Sequence, residues 1–221
     1  MPKIYLYGLQ RSGTNALVNF LKLNYNITLS NSGGRNSIGH KHCRIYDNKN
    51  FIPSPEQYSN TFLINSIQDL DKLLDNNENS NKYIVIYKDI FSWLPSISEW
   101  AKKCKWEKSD KMDFIDDYLN FIDKWNTIKN ERVLLISYNE YLDLVTNSNN
   151  NVIKKLEDFL EIKNEKELVI PTKVPQSKEF TVNKMSYYKN KEYMDFYTEN
   201  ELKMIKSHDL YSKLLHENFI K

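Results

Sequence analysis

Glycine is scarce in this 221-residue chain, with five in all. Glycine is therefore not background, and each one points to a backbone position that needs it. Cysteine is scarcer still: Cys43 and Cys104 lie far apart and without Cys-x-x-Cys spacing. That excludes a disulfide scaffold and argues against a thiolate zinc site. No apolar run approaches the length of a membrane span, and no leader-like apolar region precedes Lys3. Neither charge sign dominates, since 31 basic and 29 acidic residues leave a formal net charge of +2. That argues against a surface built mainly to coat nucleic acid or an anionic membrane, but not against a local basic cleft. The expectation is a soluble, reduced, cytoplasmic protein with no nucleic-acid or membrane partner. Asparagine, lysine, isoleucine and tyrosine are abundant, a bias with no evident physical demand behind it.

What is present reads as alternating strands and helices. Lys3–Tyr7 and Arg132–Ser137 form short buried strands, and Tyr83–Tyr87 (YIVIY) is continuous, apolar and β-branched, as in a parallel sheet covered on both faces. Thr61–Ile64 is a further strand. Helical spacing marks Thr14–Asn24 through Ala16, Leu17, Phe20, Leu21 and Leu23, and Met112–Lys129 through Phe114, Ile115, Tyr118, Phe121, Ile122 and Trp125. Further helices are expected at Ile67–Leu74, Ser92–Lys103, Asn151–Leu160 and Thr198–His216. Trp93, Trp100 and the Met112–Trp125 stripe read as core. The pattern predicts one α/β domain over residues 1–221, a three-layer α/β/α sandwich around a mostly parallel sheet.

Two of the five glycines frame GLQRSGTN, Gly8–Asn15, between the first strand and the first helix. Strand, glycine turn, helix is the context of a phosphate-binding loop, where backbone amides and the helix dipole together hold an anion. Yet Thr14 stands where a nucleotide triphosphatase carries lysine, and Asn15 where it carries the metal-binding hydroxyl. The cation here is Arg11, ahead of the second glycine. Without the hydroxyl at 15, metal-assisted phosphoryl transfer is disfavoured.

QRSGTN resembles the 5′-phosphosulfate loop of sulfotransferases that use 3′-phosphoadenosine 5′-phosphosulfate (PAPS). The resemblance implies that Arg11, Ser12, Gly13, Thr14 and Asn15 hold the phosphosulfate, with Arg11 steadying the bridging oxygen. Asn15 departs from the usual threonine. The same family carries a strand-end cation and, eight positions later, a helical serine that hold the donor's 3′-phosphate. YIVIYKDIFSWLPSISEW supplies Lys88 and Ser96 at that spacing. Two departures stand out: lysine replaces the common arginine, losing the bidentate fork, and Ile90 stands where proline is frequent. The form is similar to divergent bacterial and viral-type members. RVLLISYNEYL and Val152–Leu160 also resemble later family segments.

The implied function is metal-free, in-line transfer of a sulfonyl group from PAPS, leaving adenosine 3′,5′-bisphosphate (PAP), to a hydroxyl or amine acceptor. A carbohydrate or small molecule is the expected acceptor class, and its identity is not readable because acceptor loops vary. A general base is needed. His42 in GHKHC is the candidate, with Lys41 or His40 as helper; an extended Ile38–Arg44 would put His40 and His42 on one side. Asp47 and Glu56 remain alternatives, while His208 and His216 read as surface or packing residues. Gln176–Lys191 is the candidate late basic loop, with Lys178 and Lys184 as phosphate contacts, though it lacks the family's Arg-Lys-Gly. Tyr187 and Tyr188 stay open between core and acceptor site. Two rivals remain: a magnesium-dependent ATP kinase, favoured only by Asp89, and a nucleotide-binding protein without turnover.

Overall fold

A computed structural model describes residues 3–46, 61–74, 81–145, 150–164, 166–171 and 182–217. Three strands, β1 (Ile4–Tyr7), β4 (Lys82–Tyr87) and β5 (Val133–Ser137), form a parallel sheet in the order β1-β4-β5. Register pairs Tyr5 with Tyr83 and Tyr83 with Val133. A separate parallel pair joins β2 (Arg44–Tyr46) to β3 (Thr61–Leu63).

Strand alternation divides the core into two layers. Ile4, Leu6, Ile84, Ile86, Leu134 and Ile136 face α1 (Thr14–Asn24), α5 (Tyr138–Val145) and α6 (Asn150–Leu160). Tyr5, Tyr7, Tyr83 and Val85 face α3 (Ile90–Cys104), α4 (Ile115–Ile128) and α9 (Asp209–His216). Helices thus cover both faces of a parallel central sheet, which is why β4 can be apolar at every interior position. On the second face Tyr5, Tyr7 and Tyr83 stack beside Trp125, with Tyr7 and Trp125 centroids 5.2 Å apart. Among the described residues no helix is long and apolar enough to cross a membrane.

Several local expectations shift. The sequence gives no sign of β2, because its first residue is charged. Arg44 is nevertheless fully buried, its Nε and Nη2 donating to the two Asp117 oxygens at 3.1 and 2.7 Å while Tyr46 Oη also donates to Asp117. A buried ion pair survives only when its remaining polar atoms are satisfied in this way. Asp71 is a second such hub, between Tyr83, Asn81 and Arg132. Besides α2 (Ile67–Leu73), the helix expected from Met112 opens as a 3-10 turn, Lys111–Phe114, before α4 begins. The helix expected over Thr198–His216 is two helices, α8 (Glu199–Lys206) and α9. It breaks where the His208 ring accepts the Leu210 amide and caps α9. Leu23, counted on the buried stripe of α1, is 54 % exposed. Within the expected basic loop, α7 (Val182–Lys189) forms and is followed by a 3-10 turn, Glu192–Phe196.

Candidate functional site

The carboxyl ends of β1, β4 and β5 lie side by side, and each is followed at once by a helix or a turn into one. This is where open parallel sheets bind ligands. After β1 the chain turns sharply: Ser12 donates to the Leu9 carbonyl with its amide (3.2 Å) and its hydroxyl (2.7 Å). Arg11 and Gly13 both take the left-handed conformation, at φ 67° and 98°. A Cβ on Gly13 would come within 2.6 Å of the Tyr138 ring, so glycine is required by crowding as well as by φ. Gly13 caps α1 without a side chain, and the first-turn amides of α1 receive no side-chain cap. That end of the helix can therefore attract an anion.

Lys88 follows β4 and is 3 % exposed. Its ammonium donates to Tyr188 Oη at 2.7 Å, and lies 4.4 Å from the Tyr188 ring centroid and 5.4 Å from that of Tyr138. Two aromatic faces and a hydroxyl make burial of this cation tolerable. Tyr118 Oη donates to the Lys88 carbonyl and fixes the strand end. Asp89, the residue that favoured a kinase, caps α3 by accepting the Phe91 and Ser92 amides at 3.0 and 3.2 Å. Burial raises its carboxyl above the usual range, and those two amides oppose the shift.

Ser96, two turns into α3, meets the β1–α1 turn: Arg11 Nε donates to Ser96 Oγ across 3.4 Å, and the guanidinium lies 5.3 Å from the Trp100 ring centroid. Arg11, Lys88, Ser96, Ser92, Tyr187 and Tyr188 contribute to the walls of one cleft of about 760 Å³. Arg11, Lys88 and Ser96, singled out by motif and spacing, thus converge. Trp100, expected to be core, is only partly buried and serves as a platform for Arg11. Tyr188, left open between core and acceptor site, and Tyr138, within the RVLLISYNEYL segment, pack on Lys88, a contact that the sequence assigns to neither.

The Gly39–His42 segment is not extended. Consecutive turns run through it, with the His40 amide donating to Ser37 and the Cys43 amide to His40. His40 and His42 still meet, edge to face, at 5.4 Å between centroids. His42 Nδ1 donates to the Gly8 carbonyl at 2.6 Å; the carbonyl can only accept, so Nδ1 carries the proton and Nε2 the lone pair. Burial, seconded by Lys41, Arg44 and His40, pushes the His42 pKa down to about 3 against the Gly8 bond. His40 is lowered too, by burial and then by Lys41, Arg35 and Arg44. Lys41 donates to Asn15 Oδ1, leaving the amide nitrogen of Asn15 as its donor end, and the Lys41 pKa is lowered by burial and by Lys22. Arg44 Nη1 holds the His42 carbonyl at 2.7 Å. Residues 41–42 are therefore bound to both ends of the glycine turn, but neither side chain lines the cleft.

Asp47, Glu56 and Lys178 lie outside the described residues, and so does the side chain of Lys184, whose backbone belongs to α7. The cleft tyrosines sense opposite fields. Burial raises Tyr188 to about 12 and Arg11 opposes it, whereas Tyr187 is raised by burial and then by Glu192, Asp195 and Glu99. Arg11 and Lys88 bring positive charge to the cleft beside Tyr188, and Glu99 and Glu192 bring negative charge beside Tyr187, while Lys102 and Lys111 also line it.

No protein-family model matches this chain, and no curated protein matches it in sequence. Solved structures similar to it include two sulfotransferases. A sulfotransferase from Alicyclobacillus acidocaldarius is 10% identical, with 94% of this chain and 95% of that one covered and a TM-score of 0.45. Mouse sulfotransferase SULT7A1 complexed with PAP is 13% identical, with 98% of this chain and 88% of that one covered and a TM-score of 0.46.

Proposed function

We propose that this chain is a sulfotransferase that uses PAPS as sulfonyl donor and a hydroxyl or amine, on a carbohydrate or small molecule, as acceptor. One observation carries the proposal. Arg11, from the glycine turn, bonds Ser96 over the same cleft that Lys88 lines, which supports reading the two resembled anion motifs as one site. A donor with phosphate groups at both its 3′ and 5′ positions needs two such points; ATP has no 3′-phosphate to place at Lys88.

The residues present fit that donor. In the proposal the uncapped amides of α1, with Ser12, Gly13, Thr14 and Asn15, hold the 5′-phosphosulfate at the glycine turn. Of that turn only Arg11 is among the cleft-lining residues, while Lys88 and Ser96, which both line the cleft, hold the 3′-phosphate. When bound, PAPS supplies the sulfonyl group, whose sulfur bonds the acceptor atom as its bond to the bridging oxygen breaks. Arg11 supplies positive charge at the glycine turn. His42 is the proposed base, its tautomer set by Gly8 so that Nε2 is the accepting atom. Lys41 ties Asn15 to that histidine's segment, and Lys184 is a further proposed phosphate contact.

A second reading, a nucleotide-binding protein without turnover, draws on the fact that His42 does not line the cleft. Thermal stabilisation by PAP compared with ATP–Mg²⁺ tests the proposal, since a specific ligand stabilises by RT ln(1 + [L]/Kd). Larger stabilisation by ATP–Mg²⁺ overturns it. Stabilisation by PAP, combined with no PAP release from PAPS across phenol, sugar and amine acceptors, favours the second reading.

A further inference from the structure

We propose that Tyr188 is a second phosphate donor at the Lys88 site, so that lysine and tyrosine together form a two-point clamp for the nucleotide's 3′-phosphate. The inference rests on the sulfotransferase reading and names a residue that its motifs do not contain. A lysine ammonium is a point charge, whereas an arginine presents two parallel N–H groups to one phosphate edge. At position 88 the chain has the weaker of the two. The fold brings a second polar atom to it from 100 residues away: Tyr188 Oη lies 2.7 Å from Lys88 Nζ, and both residues line the cleft that Ser96 also lines.

The roles within the pair are fixed by chemistry. An ammonium has only donors, so the hydroxyl oxygen accepts from Lys88 and its own O–H proton is directed to a third group. The phenol is in its protonated, donating form at neutral pH, and burial pushes its pKa further up, to about 12. The ring is also positioned in advance. Tyr138 and Tyr187 meet it edge to face, with centroids at 5.1 and 5.2 Å. Little side-chain freedom is then lost when an anion binds. The lysine charge attracts the dianion, and the tyrosine adds direction.

The test measures the dissociation constants of PAP and of adenosine 5′-monophosphate, which lacks the 3′-phosphate. Tyr188→Phe keeps the ring and its packing and removes only the hydroxyl. It should weaken PAP binding about tenfold, the cost of one charge-assisted hydrogen bond, and leave the monophosphate within about twofold. Lys88→Arg in the Tyr188→Phe background restores a two-donor edge and should recover most of the PAP affinity. Unchanged PAP affinity in Tyr188→Phe, equal weakening of both nucleotides, or a double variant as weak as the single one overturns the clamp. A wild-type protein that does not prefer PAP to the monophosphate overturns the reading of the whole site, and the clamp with it.

Discussion

His42 is a partly buried ring held neutral, and that has a measurable cost in acid. Its pKa of about 3 in the folded chain compares with 6.5 for an ordinary histidine. The unfolded chain therefore binds a proton near pH 6.5 that the native state refuses until about pH 3. The stability tied to neutral His42 is complete above pH 6.5 and is lost progressively as pH falls from 6.5 toward 3. Linkage makes the loss about 2 kcal/mol between pH 7 and pH 5, where the unfolded histidine is almost fully charged and the native one is not. His42→Gln retains an amide that can donate to the Gly8 carbonyl but has no titrating group. Urea unfolding of both proteins at pH 7 and pH 5 isolates the effect, because His40 and every carboxylate are shared and cancel to first order. The wild type should lose about 2 kcal/mol relative to the variant on acidification, about 1 M in midpoint at a typical urea dependence. If the difference between the two proteins is the same at both pH values, His42 is not held neutral and the packing argument fails. The same shift predicts that no limb near pH 6.5 in a rate profile belongs to His42.

Other perturbations probe separate parts of the molecule. Lys88→Ala removes the charge at the inner end of the cleft and should weaken PAP about 10- to 100-fold by calorimetry, the range of a charge-assisted contact; an unchanged constant would contradict the anion role. Gly13→Ala should lower stability by about 1–3 kcal/mol, since it must adopt φ 98° with its Cβ against Tyr138; a melting temperature equal to wild type would show that the turn relaxes freely. Asp117→Ala leaves a fully buried guanidinium without its partner and should cost about 3–5 kcal/mol in guanidinium unfolding, while Arg44→Met combined with Asp117→Leu should recover much of it. A double replacement no better than the single one would mean that the pair's worth lies in more than charge compensation.

The parts of this fold legible in the sequence are those where a single physical signal repeats. β4 can be read because both faces are covered, so each interior position is apolar; α1 and α4 can be read because their inward residues recur at helical spacing. β2 could not, because Arg44 breaks the apolar pattern and its burial depends on Asp117, 73 positions away. The break between α8 and α9 was equally hidden. It depends on a histidine ring turning back to cap the next helix, while the helical periodicity passes through the break almost undisturbed.

The candidate site divides along the same line. Arg11, Lys88 and Ser96 stand out because each belongs to a local motif with defined spacing, and the fold needs only a parallel sheet to bring the motifs together. In the sequence Tyr188 stands open between core and acceptor site, and Tyr138 lies in a loosely resembling segment, so in a chain with fifteen tyrosines neither is marked as a partner of Lys88. Their contact appears only at Lys88, the position where the resembled motif carries arginine and this chain does not. A missing donor within a motif is a local fact, visible in eight residues. What compensates for it is a contact, and a contact can come from any distance along the chain. At position 88 the fold places a tyrosine hydroxyl 2.7 Å from the lysine ammonium. A lysine at a strand end could be buried at 3 % exposure without anion chemistry, held by aromatic faces alone. The hydroxyl separates the two cases: phenylalanine would satisfy packing and cation–π contact equally well, so a tyrosine-specific effect on PAP, absent for the monophosphate, has no explanation in packing.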